Sequence, residues 1–117
     1  MNITPEQANA IRKECQEHIE RKKLLDRLNQ NPDFQNLIKF YLEEEPARLV
    51  HLYGDPSINM GDKKEVHREE IHERLIGIAR FAEFLRGISA IAIQMEKQLQ
   101  DLQKAESEAV YNAEEIN

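Results

Sequence analysis

The chain has 117 residues, 40% of them apolar and 32% charged, with a net charge of −6. That is leaner and more charged than an ordinary globular chain, so it fits one domain whose own core is thin. No segment is strongly basic: residues 1–31 carry six bases and five acids, residues 32–61 two and five, and residues 62–117 eight and twelve, which excludes the footprint of a non-specific phosphate binder.

The opening residues, MNITPEQANAIRKEC, lack the apolar run of a signal peptide. The longest uncharged apolar stretch, Gly87 to Met95, is nine residues, where a membrane span needs about 20. The acidic balance also rules out a basic amphipathic helix lying on a membrane. A lone Cys15 excludes an intramolecular disulfide and a multi-cysteine metal site. The chain is therefore expected to be soluble and to sit in reducing, intracellular surroundings.

Thr4-Pro5-Glu6-Gln7 predicts a helix start. Thr4 accepts from the Gln7 N–H, Gln7 reaches back, and Pro5 occupies the first helical position, where its missing N–H costs nothing. Ile11, Cys15, His18, Leu25 and Leu28 then fall roughly on one face, opposite Arg12, Lys13, Glu17, Glu20 and Lys23. The first helix is expected over about 4–30, ended by Asn29-Gln30-Asn31-Pro32. Asn31 caps a second helix over 32–53, with Pro32 at its first position and Asp33 in its first turn. Phe34, Leu37, Ile38, Tyr41 and Leu42 give that helix a clean apolar face. Pro46 removes a ladder bond and crowds the turn before it, so a kink or short break is expected there. Leu49, Val50 and Tyr53 resume the register until Gly54-Asp55-Pro56 stops it.

Residues 54–61 read as a loop, and Asp62-Lys63-Lys64-Glu65 as a capping box opening the last helix. No proline follows. Ile71, Leu75, Ile78, Ala82, Leu85, Ile88, Ala92, Met95, Leu99, Leu102, Ala105 and Ala109 recur at spacings of three and four, with phase slips at 85-88-92 and after Ala105. This is a heptad-like seam over about five heptads. A helix from 62 to about 112 measures roughly 75 Å at ~1.5 Å per residue, whereas a compact chain of this size has a radius of gyration of about 13 Å. Either the helix breaks near Gly77 or Gly87, or it extends into an assembly. Phe81, Phe84, Ile91 and Ile93 lie off the seam, so residues 75–93 are expected to be the most buried stretch, one face covered by the first two helices and the other by a second subunit. The tail KAESEAVYNAEEIN thins to scattered apolar residues and is expected to fray.

The expected fold is all-α: a helical hairpin or bundle with one long C-terminal helix and coiled-coil-like association. Residues 1–61 supply two helices and a loop, residues 62–117 the long helix, and together they make one domain. The expected interface is drawn from the seam together with the off-seam Ile91: Ile71, Leu75, Ile78, Leu85, Ile88, Ile91, Met95, Leu99 and Leu102.

Three clusters invite a chemical reading. Glu69-x-x-His72 puts a carboxylate and an imidazole on one helix face, the pair that di-iron bundles use twice with two further glutamates. It occurs once here, inside a run of charges that reads as a solvated face. Its order is also wrong for a zinc-protease motif. Cys15-x-x-His18 lacks the further ligands zinc needs and the orienting third group a thiolate nucleophile needs, so it reads as packing. Glu43-Glu44-Glu45 reads as a solvated turn, with an acidic docking patch as the other possibility. The four glycines never cluster into a phosphate-binding loop. No catalytic residue, cofactor or metal is expected.

The run Asn31-Pro32-Asp33-Phe34, Leu37-Ile38, Tyr41-Leu42, Glu45, Arg48-Leu49-Val50 and Leu52, followed by Asp55-Pro56, resembles small acidic helical proteins of tailed bacteriophages, encoded among head and DNA-packaging genes. The resemblance spans residues 24–95 and includes the long helix after the Asp-Pro loop. Pro46 departs from the pattern, which puts helix continuity there in question. No catalytic residue belongs to the pattern. The resemblance implies a non-enzymatic virion or assembly component (head, neck or scaffold-associated) in the virion or the bacterial host cytoplasm. Its partners would be further copies and other phage structural proteins, with no direct nucleic-acid or membrane contact. The alternative is a soluble phage-encoded binder that inhibits a host protein with its acidic helices.

Overall fold

The computed structural model describes the backbone of residues 3–116 and the side chains of residues 3–109. Among the described residues there is no strand. The elements run α1 (Pro5–Asn29), α2 (Pro32–Lys39), a turn of π-helix (Phe40–Glu44), α3 (Glu45–Tyr53), a short α4 (Pro56–Asn59) and α5 (Lys64–Ile116). The protein is all-α with one long C-terminal helix.

The helix starts follow the capping chemistry of the sequence. The Gln7 N–H donates to Thr4 Oγ1 at 3.1 Å while the Thr4 N–H donates to Gln7 Oε1 at 3.0 Å, a reciprocal box that satisfies two donors the helix itself cannot. Asn31 Oδ1 accepts from the Asp33 and Phe34 N–H groups at 2.9 and 3.4 Å. Ahead of Pro46 the α-helix is interrupted by one turn of π-helix, and helical structure resumes at Glu45. The Glu45 N–H donates to the Phe40 carbonyl five residues back, so one turn widens to π geometry ahead of the ring. Widening absorbs the ladder bond that proline cannot make and lets helix run on into α3.

Residues 54–61 contain more order than a loop. Asp55 Oδ1 accepts the Ser57 N–H at 2.8 Å and starts the single turn of α4. Asn59 Nδ2 closes it by donating to the Tyr53 and Asp55 carbonyls, each at 2.9 Å. The expected Asp62 cap does not open α5. A turn in which the Lys64 N–H donates to the Gly61 carbonyl intervenes, and the helix begins two residues later, at Lys64. From there it is unbroken through Gly77 and Gly87. A Cβ added at either glycine meets nothing within 4 Å, so neither serves a close approach within the chain. The side chains of the tail beyond Ala109 lie outside the described residues.

The chain divides into two compact units, residues 1–26 with 87–117, and residues 27–86. Neither follows a division at 61/62, because α5 contributes to both. In the first unit α1 runs antiparallel to the later part of α5: Arg12 forms an ion pair with Glu106, and Lys22 lies within the field of Glu96. Ala8, Cys15 and Ile19 of α1 and Ala92 and Leu102 of α5 are buried there. In the second unit Leu49, Ile71 and Ile78 form the core, packed by Leu42, Leu52, Ile58 and Leu75. Tyr41 meets Phe81 edge-on at 5.5 Å, and the Arg68 guanidinium sits 4.8 Å over the Tyr53 ring. These contacts set the α2–α3 stretch antiparallel to the start of α5.

Candidate interaction faces

The seam of α5 is met by the chain's own helices. Ile71 and Ile78 are buried against Leu49, Leu75 packs beside them, and Leu102 is buried in the first unit. Leu85, Ile88, Met95 and Leu99 are half-buried. Of the nine residues expected at an interface, Ile91 alone is exposed, at 40%. Within one chain the stretch 75–93 is covered on one side only. Ile78 and Ala92 are covered, while Phe84 and Ile93 are 60% and 62% exposed. The reason is coverage: a single layer of helix buries one face of α5 in each unit, Phe81 packs at its edge on Tyr41, and Phe84, Ile91 and Ile93 point elsewhere.

The second unit leaves several large apolar side chains exposed on one flank. Phe34, Ile38 and Leu42 turn inward at intervals of four, and Leu49 follows through the π turn. Leu37 and Phe40 are left outside that line, 63% and 48% exposed, with Tyr41 at its edge. Tyr41 reaches Phe81 of α5, and Phe81 stacks on Phe84 with centroids 6.4 Å apart and planes at 30°. Leu37, Tyr41, Phe81 and Phe84 thus form one stripe crossing from α2 to α5. Sequence reasoning counted Leu37 among the inward residues. The signal that separates it is the i, i+4, i+8 line of Phe34, Ile38 and Leu42, which leaves Leu37 on the flank.

Charges border this stripe. Glu44, at the end of the π turn, and Arg80, one turn before Phe84 on α5, are exposed, and neither takes part in an ion pair among the described residues. Glu45 is engaged instead: its carboxylate is held below the usual glutamate range, first by the Arg48 hydrogen bond. Arg48 Nε donates to Glu45 Oε2 at 3.0 Å and Nη2 to Oε1 at 2.6 Å.

The chemically suggestive clusters are less organised. Glu69 and His72 are both exposed on α5, and among the described residues no three His, Cys, Asp or Glu side chains are grouped closely enough to hold a metal ion. Cys15 is 1% exposed. Burial pushes its thiol up, with the neighbouring Glu14 charge adding to the effect, which disfavours the thiolate a nucleophile requires. His18 Nδ1 is taken by Arg21 Nη1 at 3.1 Å. A surface cavity of about 300 Å³ lies between the start of α1 and α5, walled by Ile3, Pro5, Ala8, Leu102 and Ala105, with the Arg12–Glu106 pair beside it. No described helix is long and apolar enough to cross a membrane.

No protein-family model, curated protein or solved structure matches the chain.

Proposed function

We propose that the protein is a non-enzymatic structural or assembly component of a tailed-phage particle, associated with the head, neck or scaffold, and that it works by helix association with further copies of itself and with other structural proteins. The resemblance of residues 24–95 supplies the phage context. The observation that carries the mode of action is the apolar surface left over once the chain has packed on itself: Leu37, Phe84 and Ile93 are each at least 60% exposed. Burying a Leu, Ile or Phe side chain is worth about 1.5–3 kcal/mol. Three buried aliphatic residues in the second unit are a small return against an ordering cost of about 1–2 kcal/mol for every backbone residue. Helices this sparsely packed gain most of their stability from tertiary or quaternary contact rather than from propensity.

Mass spectrometry of purified virions tests this reading. Stoichiometric presence in particles supports it. Absence from particles, with the protein instead captured on one host factor early in infection, replaces it with the inhibitor reading, for which the exposed Glu43-Glu44 pair would be the docking charge.

A further inference from the structure

We propose that the Leu37–Tyr41–Phe84 flank of the second unit is the seat of a second copy of the same chain, docked about a two-fold axis lying along the helices. The proposal rests on the helix-association reading above and specifies which face associates and with what.

Three observations carry it. The first is contiguity. Leu37, Tyr41, Phe81 and Phe84 form one stripe spanning two helices, tied by the Tyr41–Phe81 and Phe81–Phe84 contacts, with Phe40 exposed beside it.

The second is area. An aromatic side chain buries about 150–250 Å², so Leu37, Phe40, Tyr41 and Phe84 at their exposures of 63%, 48%, 38% and 60% present about 400 Å². This lies in the range of the largest, functional patches on monomeric proteins. An interface core is about 65% apolar and is ringed by polar residues. A 400 Å² apolar core with such a rim therefore approaches the ~800 Å² per partner of a stable complex.

The third is charge. The α2–π side of the stripe ends in Glu44 and the α5 side carries Arg80, both exposed and both outside any ion pair among the described residues. Tyr41 lies level with Phe81 and the two helices are antiparallel, so Glu44 and Arg80 stand at nearly the same height on opposite edges. A two-fold axis along the helices stacks α2 of one copy on α5 of the other. It brings Phe84 over Leu37 and Tyr41, and Glu44 beside Arg80, twice. Every helix then meets an antiparallel neighbour, as in a four-helix bundle. A surface with both signs at matched positions is self-complementary under that axis. A partner of uniform charge would match one edge and repel the other.

The test is a charge exchange read by sedimentation equilibrium on the full chain. In a Glu44→Arg homodimer both rim pairs become base against base; in an Arg80→Glu homodimer both become acid against acid. Each is expected to dissociate at least about tenfold more readily than the wild type. In an equimolar mixture one copy carries bases at both positions and its partner acids at both, so both pairs are restored and heterodimers are expected with near wild-type affinity. Phe84→Glu is expected to abolish dimers while leaving the helical circular dichroism unchanged, since Phe84 is exposed within one chain. If the wild type dimerises but the single variants match it and the mixture gains nothing, this face is the wrong one and the helix-association reading stands. If the wild type is a folded monomer at every concentration, both are overturned.

Discussion

Single side chains carry unequal shares of this fold. Leu49 is fully buried at the centre of the second unit, against Ile71 and Ile78. Leu49→Ala removes its transfer free energy and leaves a cavity, so urea unfolding is expected to report a loss of about 2–5 kcal/mol; a loss under 1 kcal/mol would mean the core is not where the contacts put it. Asp55 gives a pH signature instead. Its carboxyl lies below the ordinary aspartate range, chiefly through the hydrogen bond with the Ser57 side chain and then that with the Ser57 backbone. A carboxyl depressed in the folded state stabilises above its unfolded pKa, and that contribution disappears as pH falls through the folded value. Asn is an equally good cap but does not titrate. The melting temperatures of wild type and Asp55→Asn are therefore expected to converge or cross as the solution is acidified below the ordinary aspartate range. A gap that is constant with pH would show that Asp55 does not act through its charge.

At the scale of the element, local chemistry was readable and tertiary phase was not. The Thr4–Gln7 box and the Asn31 cap were explicit in the sequence because each involves residues within three positions. The π turn was half readable: Pro46 marks a disturbance, but its form, a widened turn over Phe40–Glu44, is not spelled by any local residue pattern. The α5 seam was visible as a heptad pattern. What covers it was not, because α1 and the α2–α4 stretch satisfy the same pattern that a partner helix would. Gly87 offers a test of α5 itself. It lies mid-helix with open space where a Cβ would be, and glycine costs about 1 kcal/mol relative to alanine there. Gly87→Ala is expected to raise stability by about that much, or roughly 4–8 °C in Tm for a small domain. Destabilisation would mean that something outside the chain approaches the helix at this position.

For the whole molecule, the question is how a chain with so few buried residues is stable. Among the described residues eight hydrophobic side chains are buried, three of them on α1 and one of those an alanine and one a cysteine, while Leu37, Phe84 and Ile93 stand in solvent. Composition announced this shortage, since 40% apolar content with 32% charge fills one side of a helical layer and little more. The identity of the exposed face was beyond the sequence, because it depends on which side of α5 the chain's own helices take.

The central claim is that the chain completes its core by association. The direct measurement is its mass in solution by multi-angle light scattering across a wide concentration range, with circular dichroism recorded on the same samples. The expected result is a species of twice 13.7 kDa, or a larger multiple, giving way to single chains only on dilution. A fully helical species of 13.7 kDa at every concentration would contradict it.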